Sequence, residues 1–429
     1  MSPPKRIVLH ELRERPGVTR EVAIASGLSQ AGVEQQVREL NGRLKSILNR
    51  SDDPISLGQS GGWRPDGFAG LVKLNGEVEL EVVPKFLDPT NASWRRDFFL
   101  LAVLVRSGHL LDQDEIGAQG ADAGDLATLM ARSLLRACNE NARRPVRRYR
   151  RTKGLDFSLD GEVDWESLSL PDPAGYSISK TVLTRRNPYN AALKAALELL
   201  HPAVSDSDTA TGLHTLSRVL GEQDPPPERL PELPNRDRAW APAYNLARLV
   251  LDGLGLDLTN GNFVGPGFVL STWQAWEHFC HEVVRRALGG HRVVAQHPWV
   301  LGKRGALDVP ARPDITPFLG ASTDFLLDAK YRVPPGKDPA IDRADLNEAV
   351  TFLHASGRKR IDLLYPSSMS LENLSLGEWF VFDLVTTSRE GWVIRGIEVQ
   401  VQSISSPGGF NQVVSAAREA LAEDLRLGL

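Results

Sequence analysis

Two short stretches hold the residue types that phosphodiester hydrolysis needs. They are Arg312-Pro313-Asp314 and, fourteen residues after Asp314, Asp328-Ala329-Lys330. Between them lies Ile315–Leu327, an apolar-rich run broken by Pro317 and by Gly320-Ala321-Ser322-Thr323. That pattern predicts two strands joined by a turn. Side chains alternate along a strand, so Asp328 and Lys330 share a face. Asp314, at the head of the first strand, can close on them from beside. Two carboxylates supply hard oxygen ligands for Mg²⁺ or Mn²⁺, and such an ion activates water. A lysine ammonium beside them can steady the charge that develops on phosphorus or orient that water.

A helix could present a third acid to this pair. Ser271–Leu288 is the most amphipathic helix of the chain, and Trp273, Trp276, Phe279, Cys280, Val283, Val284 and Leu288 form its expected buried stripe. Glu277 falls on or beside that stripe, where a carboxylate is costly without a partner. It is the candidate fourth member of the site. His278, His281 and Glu282 lie close together, but their order does not match a zinc-protease helix, and surface positions suit them. After the helix, strands are expected at Arg292–Val300, Asp308–Phe318 and Asp324–Tyr331, a helix at Ala340–Ala355, and a buried strand at Arg360–Tyr365. Trp379–Val385 and Trp392–Val401 read as final strands and Asn411–Leu427 as a closing helix. Helix, three strands, helix, strand is the order of a PD-(D/E)xK core, expected over residues 268–429.

The front of the chain reads differently. Residues 6–48 look helical: Ile7, Val8 and Leu12 line a short helix, Thr19 caps a second and Ser29 a third. Ala23, Gly27 and Val33 fall at the small, turn and core positions of a helix-turn-helix, with Gln30, Gln35, Gln36, Arg38 and Arg43 on the third helix's surface. Ser51–Gly67 reads as a linker or long loop. The period then becomes two on both sides of Asn75-Gly76, a strong hairpin signal. Helices follow at Trp94–Ser107 and Asp125–Asn141. Next comes the densest basic stretch, containing Arg143, Arg144, Arg147, Arg148, Arg150, Arg151 and Lys153 around Tyr149, a composition suited to phosphate or to a protein partner. Ala191–His201 and Trp240–Leu254 read as helices, and the proline-rich Ser205–Asn235 as a connector with limited helix over Leu213–Gly221. The expected divisions are a helical, helix-turn-helix-like segment at 1–50, a mixed α/β front domain at 51–204, a connector and helix at 205–267, and the nuclease-like domain at 268–429.

Composition sets outer bounds. The 429 residues are 41% hydrophobic and 24% charged with a formal charge of −4, ordinary for a soluble globular chain of two or three domains. That charge excludes a uniformly basic nucleic-acid binder, so any such surface must be clustered. The two cysteines, Cys138 and Cys280, stand in unrelated contexts, which argues against a disulfide framework or a cysteine zinc site and fits a reducing cytoplasm. No run approaches a membrane span, and no signal-peptide core follows Met1–Lys5. No P-loop of the form G-x-x-x-x-G-K-[ST] occurs, so nucleotide hydrolysis would have to come from a partner.

Taken in order, several stretches resemble the McrC family, the nuclease subunits of McrBC modification-dependent restriction systems. They are Ala69-Gly70-Leu71-Val72-Lys73-Leu74 with Val82-Val83-Pro84-Lys85, the Arg150–Asp164 region, Asn187-Pro188-Tyr189-Asn190-Ala191-Ala192-Leu193-Lys194, Trp276-Glu277-His278-Phe279, Arg312-Pro313-Asp314 with Leu327-Asp328-Ala329-Lys330-Tyr331, and Leu363-Leu364-Tyr365-Pro366. The resemblance implies a chain that binds a McrB-like hexameric AAA+ GTPase ring, stimulates its hydrolysis through the front half, and cuts double-stranded, possibly modified DNA with the rear half. It implies Asp314, Asp328 and Lys330 as the catalytic set, with Glu277 assisting the metal. Two features depart from the family. Glu348 stands where a Gln is usual in Asp345-Leu346-Asn347-Glu348, and a helix-turn-helix-like front such as residues 6–48 is not expected of the family. Two other readings compete: a non-catalytic adaptor that activates a motor ring and only grips DNA, and a DNA-binding regulator led by residues 6–48.

Overall fold

A computed structural model describes residues 5–58, 60–87, 94–107, 126–158, 160–166, 172–204, 206–253, 268–318, 325–332, 340–367 and 374–426. The expected turns at 320–323 and 261–267 lie outside them. The chain forms two compact units, Met1–Leu129 with Asp252–Leu429, and Met130–Leu251. These lines differ from the divisions expected at 51, 205 and 268.

The chain opens with a strand rather than the expected helix. In β1 (Lys5–His10), Ile7 and Leu9 alternate inward and are fully buried, and the strand pairs in parallel with β5 (Val78–Val83). Period two was present in the sequence, but the partner that makes it a strand lies far downstream. Helices α1 (Val18–Ser26) and α2 (Gln30–Leu48) follow. Thr19 does not cap α1. The cap position is Gly17, in the left-handed region, and the Thr19 hydroxyl accepts the Trp63 indole N–H at 2.8 Å. Gly27 makes the expected turn at φ 67°, and Ser29 caps α2 by accepting from the Gly32 N–H. The two helices pack Val22, Val33, Val37, Leu40 and Leu44 into one core with Ile7, Leu9, Leu80 and Val82. On α2, Gln30 and Gln35 bond Glu34 and Glu39, and Gln36 bonds Asn75. The segment read as a linker contains a ribbon, β2 (Ile55–Leu57) and β3 (Trp63–Pro65), held by buried Asn41, whose amide bonds both the N–H and C=O of Ile55. The Asn75-Gly76 turn joins β4 (Phe68–Lys73) to β5 as expected. Asn75 Oδ1 accepts two turn N–H groups, from Glu77 and Val78. Helix α3 (Trp94–Ser107) follows, and its Arg95 pairs with Glu81 of β5.

The second unit contains most of α4 (Leu126–Asn141), a sheet in the order β6-β8-β7 formed by β6 (Arg148–Asp156), β7 (Glu162–Val163) and β8 (Tyr176–Thr184), and helices α5 (Pro188–Leu200), α6 (Ser207–Leu220) and α7 (Ala241–Gly253). Asn187 caps α5 with Pro188 in its first turn. The limited helix expected at Leu213–Gly221 begins earlier, because Asp206 caps it.

The rest of the first unit begins with β9 (Phe268–Ser271). It does not open a separate domain but adds an edge to the front sheet, whose order is β1-β5-β4-β9. It runs straight into α8 (Thr272–Ala287). Strand β10 (Arg292–Ala295) is followed by a ribbon, β11 (Trp299–Arg304) with β12 (Leu307–Ala311), then β13 (Ile315–Phe318) and β14 (Phe325–Ala329). The runs Arg292–Val300 and Asp308–Phe318 are therefore each two strands. The first breaks at Gln296, whose φ is 48°, and the second at Arg312-Pro313, where proline supplies no ladder N–H. After α9 (Arg343–Ser356) come β15 (Arg360–Pro366), β16 (Trp379–Thr386), β17 (Val393–Val399) and α10 (Gly409–Arg426). The six-stranded sheet has the order β10-β13-β14-β15-β17-β16, with β14, β15 and β17 parallel. On α8, Trp276, Phe279, Cys280, Val283 and Val284 are buried as expected, but Trp273 is 50% exposed. It sits on the first turn of the helix, on the same side as the stripe but uncovered.

Candidate metal centre

The β13–β14 hairpin brings the separated acids together. Residues Ile315 and Leu327 are paired, so Asp314 and Asp328 stand opposite each other at the end of the ladder. The Asp314 N–H donates to Asp328 Oδ1 at 3.2 Å, and the Ala329 N–H donates to Asp314 Oδ2 at 2.9 Å. Asp328 is 2% exposed. Lys330 Nζ lies 2.6 Å from Asp328 Oδ2. That buried oxygen receives no well-aligned hydrogen bond among the described residues despite the close ammonium. The ammonium also donates to Glu348 Oε2 at 2.6 Å, so the acid at the unusual position on α9 is a direct partner of Lys330. Glu277 reaches toward the cluster from α8, close enough for its charge to act on Asp314.

Asp314, Asp328 and Glu277 crowd negative charge into a poorly hydrated place. Burial, then the charges of Asp328 and Glu277, push Asp314 up to about 8. Burial also raises Asp328, although the Lys330 ammonium opposes it. Lys330 loses hydration as well, but Asp328 and Glu348 more than offset this and hold it protonated. The donor set is hard oxygen, which suits Mg²⁺ and not a soft ion. Among the described residues, no three acid, His or Cys side chains are already gathered as a ready cage. The carboxylates instead satisfy one another through the N–H groups of Asp314 and Ala329.

These shifts carry a stability consequence. Asp314 has a folded pKa of about 8, above its ordinary 3.8. Between these values the folded state keeps a proton that the unfolded state has released, so metal-free stability falls as pH rises, and the cost is complete above about pH 8. Asp314→Asn removes the charge. Without metal at pH 8 it is expected to stabilise the protein by about 2 kcal/mol, with the gain shrinking toward pH 4. Denaturant unfolding at the two pH values measures it, and an equal or lower stability at pH 8 contradicts this assignment.

Residues 63–366 match the family described as McrBC 5-methylcytosine restriction system component. The chain belongs to this family. The McrBC-family chain also matches a chain from the refined half-complex of a tetradecameric assembly of Thermococcus gammatolerans McrB AAA+ hexamers with bound McrC. That match has 15% identity and a TM-score of 0.70, and covers 98% of this chain and 100% of that one. A second match, to the cryo-EM structure of the Thermococcus gammatolerans McrBC complex, has 16% identity and a TM-score of 0.49 over 67% of this chain and 89% of that one. No curated protein matches.

In this McrBC-family chain the basic stretch is not a free cationic strip. Arg148 pairs with Asp237 at 2.6 Å and lies over the Tyr189 ring, and Arg150 pairs with Asp224 at 2.6 Å. Arg151 pairs with Glu162 across the sheet. Arg143, Arg144, Arg147 and Lys153 are exposed and make no ion pair among the described residues. Sequence reasoning missed the acids because they are distant in the chain. It also missed Gln296. This residue turns the chain in the left-handed region, donates its N–H to the Asp314 carbonyl at 2.9 Å and its side-chain amide to Glu277 Oε1 at 2.6 Å. A non-glycine residue held there beside a cluster of acids marks a strained position, which no sequence pattern signals. Among the described residues, no helix is long and apolar enough to cross a membrane.

Proposed function

We propose that this chain is the Mg²⁺-dependent DNA endonuclease subunit of a McrBC-type restriction complex, with a PD-(D/E)xK centre made of Asp314, Asp328, Lys330 and Glu277. The observation that carries this is the closure of Asp314 onto Asp328 and Lys330 by the β13–β14 hairpin. The order of α8, the antiparallel β10, β13 and β14, α9 and parallel β15 supports it. Asp314 and Asp328 would hold the ion, and Glu277, steadied by Gln296, would complete its shell or orient water. When bound, Mg²⁺ supplies Lewis-acid polarisation of the phosphate and a more acidic water. Lys330, held by Asp328 and Glu348, would supply a fixed positive charge to steady the charge developing on phosphorus. Glu348, on the same ammonium, limits how far Lys330 can swing.

The partner in this reading is a McrB-like AAA+ GTPase ring whose hydrolysis the chain stimulates. The sheet β6-β8-β7 suits docking to it. Tyr149 and Leu183 are exposed on it, Phe157 and Trp165 are exposed just past β6 and β7, Arg143, Arg144 and Arg147 precede β6, and Lys153 lies within it. Cleavage of methylated DNA by the purified complex with GTP tests the reading. Cutting is expected to require Mg²⁺ or Mn²⁺ and to stop with chelator. Glu277→Gln is expected to raise the Mg²⁺ needed for half-maximal rate by about 10-fold or more. A complex that stimulates GTP hydrolysis but never cuts DNA with either ion would sink the nuclease reading in favour of an adaptor.

A further inference from the structure

Two parts of the proposed centre and the end of a front-sheet strand converge on one buried carboxylate that the centre's chemistry does not use. Glu11, just past β1, is 2% exposed. Its Oε1 accepts the Thr272 hydroxyl at 2.6 Å. Its Oε2 accepts the Lys85 backbone N–H at 3.2 Å and the Tyr331 hydroxyl. Each donor belongs to a different element. Thr272 is the first residue of α8, which carries Glu277. Tyr331 directly follows Lys330, and Lys85 lies just past β5.

Tyr331 is held at every point. The Lys85 ammonium donates to its carbonyl at 2.6 Å and stands 3.8 Å from the ring centre. Phe86 meets the ring edge-on at 5.7 Å and lies 6.0 Å from the Trp276 ring. On the other side, the Lys330 N–H donates to the Leu364 carbonyl at 2.8 Å, which also takes the Trp276 indole N–H at 2.9 Å. The backbone around Lys330 is therefore fixed on both flanks. Burial strips water from both charged groups, raising Glu11 and lowering Lys85 to about 8. Buried charge of this kind is a weak source of stability compared with apolar packing of the same shape. A fully bonded network does define a single arrangement of the groups it joins.

We propose that Glu11, Lys85 and Tyr331 form a positioning unit for the nuclease centre. The front sheet, through these residues, holds the Lys330-Tyr331 backbone and the start of α8 in one frame. It thereby sets where the Lys330 ammonium and the Glu277 carboxylate stand relative to Asp314 and Asp328. The inference rests on the nuclease reading. None of the three touches a reacting atom.

Tyr331→Phe tests it, since it removes one hydroxyl and keeps the ring. In the full complex with the AAA+ ring, GTP, Mg²⁺ and methylated DNA, turnover is expected to fall about 10-fold. The DNA concentration for half-maximal rate and the stimulated GTP hydrolysis stay unchanged, while the Mg²⁺ requirement rises. Thr272→Val, which removes the other hydroxyl at Glu11, is expected to show the same split. The double variant Tyr331→Phe/Glu11→Gln should be no worse than the stronger single one, because the two act as a unit. Wild-type turnover and Mg²⁺ requirement in both hydroxyl variants overturn the proposal. So does a loss that only tracks the fraction of folded protein. Asp328→Ala separates the two ideas. If it cuts like the wild type, the nuclease reading falls, and the positioning role with it. If it is inactive while Tyr331→Phe cuts fully, only the positioning role falls.

Discussion

Asp328→Ala is expected to lower DNA cleavage by about 10³-fold while leaving assembly with the AAA+ ring and stimulated GTP hydrolysis intact. The size follows from the ion's several kcal/mol of transition-state stabilisation, at about 1.4 kcal/mol per factor of ten. Asp328 is the member of the cluster with the most to lose. Its Oδ1 accepts the Asp314 N–H, and its Oδ2 faces the Lys330 ammonium. Without it, Asp314 loses its opposing oxygen ligand, and Lys330 keeps only the exposed Glu348 as an acid partner. The fold should survive, because burial already disfavours the charged form of Asp328. Gel assays of nicking and linearisation, with ring binding by sedimentation and a thermal melt beside them, check all parts. Cleavage within a few-fold of wild type would remove Asp328 from the chemistry.

Trp276→Ala is expected to destabilise the protein by about 3–5 kcal/mol, as for large aromatic side chains emptied from a core. The indole is 1% exposed. It stacks at a tilt with Phe279 at 5.5 Å, approaches Phe86 at 6.0 Å and donates to the Leu364 carbonyl. It thus joins α8, the end of the front sheet and the end of β15, the three elements around the candidate site. Trp276→Phe keeps most of the packing and leaves the Leu364 carbonyl bonded to the Lys330 N–H. It should cost about 1–2 kcal/mol. Denaturant titration of both variants measures the pair. Equal costs would mean that the indole hydrogen bond, rather than its volume, carries the effect.

Legibility in the sequence followed distance along the chain. The Asn75-Gly76 hairpin, the Ser29 cap and the buried stripe of α8 needed only neighbours within a few residues, and the structure contains all three. Trp273 failed because periodicity assigns a face but not the reach of the surface that covers it. The helix expected at Ile7–Leu12 failed because β1 depends on a parallel partner, β5, that local pattern cannot identify. The ribbon β11–β12 was absorbed into flanking strands because its bends come from Gln296 and Pro313 in context rather than from a glycine-rich turn.

The sequence by itself determined which residues are the candidates for the chemistry. Asp314, Asp328 and Lys330 lie on one hairpin whose strand period places them on one face, and Glu277 lies on a helix whose period turns it inward. Tertiary structure alone decided their state. It buried Asp328, set Glu348 on Lys330, bridged Glu277 to the Asp314 backbone through Gln296, and tied Lys330 to the front sheet through Tyr331, Glu11 and Lys85. It also paired Arg148 and Arg150 with Asp237 and Asp224. The physical reason is common to all of these. A side chain's charge state and freedom depend on water removed and partners supplied by distant segments, whereas its chemical type and local face are written in its immediate neighbours.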